Sequence, residues 1–429
     1  MLIRNGRIVF VVMTLMIIGT TSWADLNSYL QKPDSSYTWS KTSDQELASG
    51  RVVEINFTSQ TWESIPWNHR LVVIYPKKIE YPGVVTLFIT GGSGGPEEVK
   101  VGQYLSNSTG IPVAILFNIP NQPLFGGKNE DALIAYTFQK YMETGDQDWP
   151  VLFPMTKSAI RAMDTLEAFS REDKASPYTR FFVAGASKRG WTTWLTAASG
   201  DKRIIGIIPM VYDNLNLAAQ MPHQLESWGD YSIMIKDYTK LGIQSKMNTD
   251  RGKELIGMVD PYSYRDKLTM PKLIVNGSND PYWTQDSLNL YWNELKGPKW
   301  VHYAVNSGHG LESRLPLLQA SSVFITQVAA GSMPPAANWK WTSNKSGMHL
   351  EITGNIRPSA AKVWTAVSTT KDFRKSVWTS IPMKRSAKGW NANIHIPATG
   401  FIAAFGQTDF LVDGKPFPVC TQVEIAGAK

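Results

Sequence analysis

The chain has 429 residues, which is too long for one small domain and long enough for one large core with an appendage. Hydrophobic residues make up 43% and charged residues 18%, so the composition is that of a globular protein and excludes a largely disordered chain. The formal charge is +7, but the lysines and arginines are spread thinly, which argues against nucleic-acid binding.

The first 24 residues have the pattern of a secretory signal peptide. Arg4 and Arg7 precede an apolar run over 8–18, and Ser22-Trp23-Ala24 ends in a residue that signal peptidase accepts. An uncleaved anchor helix is the alternative, but the run is short for a membrane span. We therefore expect a secreted or periplasmic protein with no transmembrane segment after cleavage. Its charge of +5 favours loose association with anionic envelope surfaces.

The next part of the chain alternates strands and helices. Residues 25–50 give little pattern, whereas 51–76 alternates apolar and polar residues and predicts antiparallel strands with a break at 64–66. Apolar residues at three-to-four spacing predict helices over 131–141 and 156–171. Apolar stretches predict buried strands at 84–90, 111–120, 181–184, 204–213, 271–280 and 300–306. This order predicts an α/β fold with a mainly parallel sheet and helices on both faces.

Two segments depart from this alternation of strands and helices. Residues 214–265 are polar and rich in Met and Tyr, and we expect an insertion or lid over the carboxyl edge of the sheet. Beyond 331–339 only short alternating runs occur, which predicts a small all-β sandwich. The predicted division is thus an α/β domain over 25–335 and a β-sandwich over 336–429.

A serine lies at one predicted strand-to-helix turn, in GASKRG at 185–190. Such a turn holds the Ser187 hydroxyl clear of the sheet and aims the backbone N–H of Lys188 at a reacting oxygen. Gly185 and Gly190 would relieve crowding where the helix leaves the strand. The turn departs from G-x-S-x-G because Arg189 occupies the place of the last glycine.

The partners that such a serine needs follow in the order typical of an α/β-hydrolase. Asp280 ends a late predicted strand, and His309 follows the last one in the loop NSGHG. The sequence therefore predicts a Ser187–His309–Asp280 triad, because all three residues fall at carboxyl ends of predicted strands. Asp213 is the alternative acid, although it could equally cap a turn or hold Arg189. Asp286 is a weaker candidate at the start of a predicted helix.

Other residues are expected to complete the site. The glycine-rich loop at 88–98 predicts a second oxyanion donor at Gly92 or Ser93, together with Lys188. We expect the 214–265 segment and three aromatic residues to shape the substrate pocket, namely Trp228, Tyr282 and Trp283. Trp191 and Trp194 lie within the helix after the serine and are predicted to be core residues.

The sequence offers no motif for a metal or a cofactor. It lacks H-E-x-x-H and any Cys/His pairing at ligand spacing, so we expect neither group. Cys420 is the single cysteine, which excludes an internal disulfide and predicts a buried thiol rather than a nucleophile.

Residues 130–165, joined to GASKRGWTTWLTAA at 185–198, resemble the PhoPQ-activated pathogenicity-related protein family. The match extends over roughly residues 40–420. The resemblance implies an α/β-hydrolase core, export, and a link to virulence or envelope stress under two-component control in bacteria. Family members with the same turn would place their nucleophile at Ser187. No substrate follows, because the family is named for its regulation.

Two functions remain in view. The first is an exported serine hydrolase that cleaves an ester or peptide bond in a small-molecule or peptide substrate. The second is a secreted binding or signalling protein that keeps the fold without catalysis, which the family's extracellular repressor relatives favour. The conjunction of Ser187, Asp280 and His309 favours the hydrolase, because a non-enzyme has no need to keep all three at strand ends.

Overall fold

The computed structural model describes residues 26–92, 94–173, 176–344, 347–354, 356 and 358–427. The predicted signal peptide over 1–24 and the candidate oxyanion residue Ser93 lie outside these residues. Within them, no helix is both long and apolar enough to cross a membrane.

The first part of the chain forms a mixed central sheet. Its strands are β1 (Thr38–Leu47), β2 (Gly50–Trp62), β3 (Ile65–Ile74), β4 (Val84–Ile89), β5 (Val113–Leu116), β6 (Arg180–Ala186), β7 (Ile204–Met210), β8 (Lys272–Gly277) and β9 (Lys299–Ala304). They lie in the order β1-β2-β3-β5-β4-β6-β7-β8-β9. Strands β1 to β3 are antiparallel, and β4 to β9 run parallel to one another. This confirms the predicted mainly parallel sheet with an antiparallel start.

The sequence pattern predicts only part of the antiparallel strands β1 to β3. The break predicted at 64–66 lies slightly earlier, because β3 already begins at Ile65. It is a two-residue turn at Glu63 and Ser64, both at positive φ, as the turns favoured by tight hairpins require. Strand β1 was not predicted, because it is an edge strand whose polar side chains are mostly exposed and show no alternation.

Helices cover both faces of the sheet. They are α1 (Leu26–Leu30), α2 (Pro96–Thr109), α3 (Glu130–Thr144), α4 (Leu152–Glu172), α5 (Lys188–Ala198), α6 (Leu217–Trp228), α7 (Lys236–Thr239), α8 (Ile243–Lys246), α9 (Asp250–Val259) and α10 (Arg314–Ala329). Short 3₁₀ helices span Ile233–Ile235, Pro261–Lys267, Ser287–Leu290 and Trp292–Glu294. Helices α2 and α10 pack on one face, and α4 and α5 pack on the other.

Strand β6 shows how the sheet separates two cores. Phe181 and Val183 join the core beneath α4 and α5, whereas Phe182 and Ala184 join the core beneath α10. Successive side chains of a strand point to opposite faces, so a strand buried on both faces must be apolar throughout. The continuous apolar stretch at 181–184 therefore indicated this central position correctly.

The C-terminal part adds two packed sheets. Its strands are β10 (Asn338–Ser343), β11 (Gly347–Thr353), β12 (Ala360–Ser368), β13 (Thr379–Pro382), β14 (Lys384–Arg385), β15 (Trp390–His395), β16 (Phe401–Val412), β17 (Lys415–Cys420) and β18 (Glu424–Gly427). One sheet has the order β10-β11-β15-β14, and the other has β17-β16-β12-β13 with β18 beside β16. A shared apolar layer that includes Leu350 and Val363 lies between them, as in a β-sandwich.

The sandwich continues the central sheet. Cys420 in β17 pairs with Val301 in β9, so one sheet runs from the α/β part into the sandwich. Cys420 is buried, and burial raises the pKa of its thiol to about 12, which fits the predicted structural cysteine. The division between residues 335 and 336 stays a prediction, because a shared sheet does not mark where one folding unit ends.

Candidate active site

Ser187 occupies the turn between β6 and α5. Its backbone has φ 60° and ψ −126°, a conformation that non-glycine residues adopt rarely and at a cost of about 1–3 kcal/mol. Two backbone hydrogen bonds hold it there: its N–H donates to the Met210 carbonyl at 2.8 Å, and its carbonyl accepts from the Trp191 N–H at 3.0 Å. Its hydroxyl does not cap α5, which leaves it available to another partner.

The glycines on either side of Ser187 are sterically required. A Cβ on Gly185 would lie 2.6 Å from the Arg189 carbonyl oxygen, and one on Gly190 would lie 2.7 Å from the Met210 carbonyl oxygen. Both distances are shorter than Cβ contacts allow, so α5 can leave the sheet at this angle only if both residues are glycine. The predicted role of Gly185 and Gly190 in relieving crowding is confirmed.

The structure brings the three predicted side chains together. His309 Nε2 lies 2.8 Å from Ser187 Oγ, and His309 Nδ1 lies 2.8 Å from Asp280 Oδ2. The other carboxylate oxygen of Asp280 accepts the backbone N–H of Tyr282 at 2.9 Å. Asp280 is only 5% exposed, so little water competes for its carboxylate oxygens. The two hydrogen bonds therefore hold the carboxylate in one orientation. In this arrangement Nε2 can receive a proton from Ser187 while the Nδ1–H stays bound to Asp280.

Close packing of the loops after β8 and β9 creates this geometry. A Cβ on Gly277, at the end of β8, would lie 2.3 Å from the carbonyl oxygen of Gly308. Glycine at 277 therefore lets the loop of His309 approach the loop of Asp280. The ring of Tyr282 lies over the imidazole, with 4.1 Å between ring centroids.

The C-terminal part of the chain supports both loops. The side-chain amide of Asn279, next to Asp280, donates to the Ser376 carbonyl at 2.7 Å. Asn306 and Trp378 exchange two hydrogen bonds, of 3.0 and 2.8 Å. The 373–378 segment thus holds the chain on either side of the hydrogen-bonded pair, a contribution that no local sequence pattern indicated.

The N-terminus of α5 supplies one candidate oxyanion donor. Lys188 is its first residue, and no side chain caps the helix, so the Lys188 N–H is among the N-terminal donors that a helix does not pair internally. In the glycine-rich loop, Gly91 lines a cavity together with Ser187, whereas the predicted Gly92 is exposed. Gly91 therefore lies beside the serine, and the oxyanion roles of Gly92 and Ser93 stay predictions. Ser93 lies outside the described residues.

Arg189, which replaces the usual glycine, anchors a partly buried ion cluster. Its guanidinium donates to both carboxylate oxygens of Glu130, at 2.7 and 2.6 Å, and to the Ile119 carbonyl at 2.5 Å. Burial alone would raise the pKa of Glu130, but the Arg189 guanidinium and the Lys188 ammonium lower it to about 2. A Cβ on Gly91 would lie 1.5 Å from Arg189 Nη2, so the guanidinium fills the space beneath the glycine-rich loop.

Ser187 lies on the walls of two cavities. The first, of about 60 Å³, lies beneath the 214–265 segment, which folds into α6 to α9 and contributes Met221 and Tyr238 to its wall. Lys188 and Asp131 also line it, and their ammonium and carboxylate groups are 3.3 Å apart. The second cavity, of about 440 Å³, lies between the sheet and helices α2 and α10.

Residues 26–374 match the model of the family described as PhoPQ-activated pathogenicity-related protein. The chain belongs to this family. It is also 32% identical over 399 residues to Autocrine proliferation repressor protein A of Dictyostelium discoideum, a match that covers 85% of this chain and 78% of that protein. The predicted membership of the PhoPQ-activated pathogenicity-related family is confirmed.

Several solved esterase structures share part of the architecture of this family member. The acetyl xylan esterase from Paenibacillus sp. R4 has a TM-score of 0.48 and 16% identity, covering 70% of this chain and 92% of that one. A cold-adapted esterase from an Arctic intertidal metagenomic library has a TM-score of 0.42 and 16% identity, covering 68% and 98%. The sheet order and the position of Ser187 define the fold as α/β-hydrolase-like.

The alternative acids have other partners in this PhoPQ-activated family member. Asp213 follows β7, is buried, and accepts the Tyr291 hydroxyl at 2.5 Å. Burial raises the pKa of its carboxyl to about 7, and the neighbouring carboxylates add to the shift. The expectation that Asp213 holds Arg189 is wrong, because Glu130 binds that guanidinium. Asp286 bonds to a histidine on α6 and precedes a 3₁₀ helix.

The predicted pocket aromatics divide between two environments. Tyr282 and Trp283 line the first cavity as expected. Trp228 does not, because it ends α6 and packs under the guanidinium of Arg374, 4.0 Å from the ring centroid. Trp191 is buried as predicted but also contributes to the cavity wall, whereas Trp194 is a core residue.

The packing of the turn can be tested with Gly190→Ala. The added methyl group would force the Met210 carbonyl or α5 to move, so we expect the free energy of unfolding to fall by about 1–3 kcal/mol. Urea unfolding measures the loss. Gly92→Ala is the control, because its Cβ would have its nearest neighbour 3.8 Å away. Equal losses in the two variants would contradict the steric account.

The buried carboxyl of Asp213 predicts a pH-dependent stability difference. Its pKa is raised from 3.8 to about 7 in the folded chain, so ionisation opposes folding increasingly as the pH rises through that interval. Asp213→Asn keeps an oxygen for the Tyr291 hydroxyl and removes the charge. We therefore expect the variant to gain stability relative to the parent between about pH 4 and pH 8.

Denaturant unfolding at several pH values measures this gain. Asp266→Asn is the control, because the Asp266 side chain is 81% exposed. A stability difference between Asp213→Asn and the parent that stays constant with pH would show that the carboxyl does not carry the predicted burial cost.

Proposed function

We propose that this protein is an exported serine hydrolase that cleaves carboxylic esters, with Ser187, His309 and Asp280 as its catalytic triad. The observation that carries the proposal is the pair of 2.8 Å hydrogen bonds that link the hydroxyl, the imidazole and the carboxylate in series. A serine hydroxyl is a weak nucleophile unless a positioned base takes its proton, and this arrangement supplies that base.

The reaction proceeds in two balanced halves. Ser187 Oγ bonds to the ester carbonyl carbon as its proton passes to His309 Nε2. The bond to the alcohol oxygen then breaks, and that oxygen leaves with the proton from Nε2. A water molecule next gives a proton to His309 Nε2 as its oxygen bonds to the acyl carbon. The bond between that carbon and Ser187 Oγ then breaks, Oγ takes the proton back from Nε2, and the carboxylic acid leaves. Asp280 keeps the Nδ1–H bound and stabilises the imidazolium in both halves.

Negative charge develops on the carbonyl oxygen in each half. We assign its stabilisation to the Lys188 N–H at the start of α5 and to an N–H of the glycine-rich loop at Gly91 or Gly92. The ion cluster of Arg189 and Glu130 supports this role, because it fixes both the start of α5 and the floor of that loop. Removing one such donor typically lowers kcat by about 10²–10³.

The character of the cavities favours an ester over a peptide bond. A peptide substrate carries N–H and C=O groups at every residue, and each needs a partner when it leaves water. The walls of the two cavities beside Ser187 consist mainly of apolar and aromatic side chains. They suit a small ester with apolar substituents better than an extended main chain.

The proposed location is outside the cytoplasm. The predicted signal peptide and the family's description support export to the periplasm or the medium and a link to virulence or envelope stress. The charge of +5 after cleavage favours loose contact with anionic envelope polymers. The ester substrate would then be a component or a product of that compartment.

Kinetics on p-nitrophenyl acetate test the triad. We expect Ser187→Ala to lower kcat/KM by about 10⁴ or more and Asp280→Asn to lower it by about 10⁴. Asp213→Asn should stay within about threefold of the parent, because Asp213 bonds to Tyr291 and not to His309. A loss in Asp213→Asn that matches the loss in Asp280→Asn would overturn the assignment of the acid.

A fluorophosphonate probe separates the hydrolase from the binding protein. The parent should be labelled and Ser187→Ala should not. A folded parent that is neither labelled nor active on any ester would favour a secreted binding or signalling protein. Faster cleavage of aminoacyl p-nitroanilides than of esters would instead show that the bond is an amide.

A further inference from the structure

The second cavity beside Ser187 has no role in the proton-transfer steps. It measures about 440 Å³, and Gly91, Ser187 and Gly310 belong to its wall on the active-site side. Ligand-binding cavities have volumes of about 300–1,000 Å³, which includes this one.

Most of the residues that line this cavity are apolar, and four charged residues lie among them, namely Glu97, Glu98, Arg189 and Arg314. Leu105 of α2 and Leu317 of α10 form its outer wall, and Ile115 and Ile208 of the sheet form its inner wall. All four are buried within the apolar cores on this face of the sheet. Water gains little from such walls, whereas a hydrocarbon chain gains from every methylene that leaves solvent.

We propose that this cavity binds the acyl chain of the substrate, which makes the preferred substrates esters of medium-chain fatty acids. This inference rests on the proposed esterase function and specifies the substrate class of the same site. Its basis is that one mostly apolar cavity is continuous with the serine whose oxygen would bond to the acyl carbon.

The acyl half of the ester fits this cavity better than the alcohol half. After the first half-reaction the acyl group stays bonded to Ser187 Oγ, while the alcohol must leave before water can attack. An apolar-walled space between two helices and the sheet suits the retained group. The alcohol would depart past His309, which is 22% exposed and delivers its proton.

The size of the effect follows from the transfer of methylenes out of water. Each buried methylene lowers the free energy by about 0.8 kcal/mol, which corresponds to roughly a fourfold gain in kcat/KM. The gain should accumulate from acetate through butyrate and hexanoate to octanoate, and it should stop where the cavity is full.

A substitution that fills the cavity tests the inference. Val101 of α2 lines it, so Val101→Trp should abolish the gain with chain length and bring kcat/KM on p-nitrophenyl octanoate divided by kcat/KM on the acetate to about one. Val99→Trp is the matched control, because Val99 is half-buried on the same helix but does not line the cavity. Thermal unfolding of both variants checks that they are folded.

Each outcome bears on one claim. If the parent cleaves acetate with no gain for longer acyl chains, or if Val101→Trp and Val99→Trp behave alike, the acyl-chain assignment is overturned and the esterase stands. A gain with octyl acetate but not with p-nitrophenyl octanoate would place the chain on the alcohol side and overturn it too.

If no ester is cleaved, the proposed function is overturned. A binding measurement then still decides whether the cavity takes an apolar chain. Calorimetry with octanoic acid and Ser187→Ala then tests the cavity alone. Val101→Trp and Val99→Trp are each introduced into Ser187→Ala. Loss of octanoic acid binding with Val101→Trp but not with Val99→Trp would support an apolar chain in this cavity. Absence of binding would overturn the inference as well.

Discussion

The imidazole of His309 joins two side chains that are far apart in sequence, and the candidate site depends on this bridge. Ser187 is 122 residues before it and Asp280 is 29 before it, yet both lie 2.8 Å from its ring nitrogens. Parallel strands make this convergence possible, because their carboxyl ends lie along one edge of the sheet. The remaining features of the site keep these three groups at hydrogen-bonding distance.

Several parts of the chain contribute to that geometry. Gly185 and Gly190 allow the backbone of Ser187 to keep its rarely populated conformation, and the Arg189–Glu130 pair fixes the loops beside it. On the other side, Asn279 and the sandwich segment 373–378 hold the loop of Asp280. The site therefore depends on contacts from remote parts of the chain, including the loop between β12 and β13 in the C-terminal sandwich.

Much of this arrangement could be predicted from the sequence. Apolar strands and their order predicted the sheet, and a serine, an acid and a histidine at three strand ends predicted the cluster. Contacts between segments that are distant in sequence could not be predicted. No periodic pattern in the sequence marks the bond between Arg189 and Glu130 or the strand pairing of Cys420. Both contacts depend on how remote segments of the chain pack together. Trp228 was misplaced for the same reason, since its partner comes from the sandwich.

A crystal structure of the fluorophosphonate adduct would show directly whether Ser187 is the nucleophile. We expect a phosphorus atom bonded to Ser187 Oγ, with the phosphoryl oxygen about 2.7–3.1 Å from the Lys188 backbone nitrogen and His309 Nε2 beside the serine oxygen. Phosphorus bonded to another residue, or a phosphoryl oxygen turned away from the start of α5, would contradict this expectation.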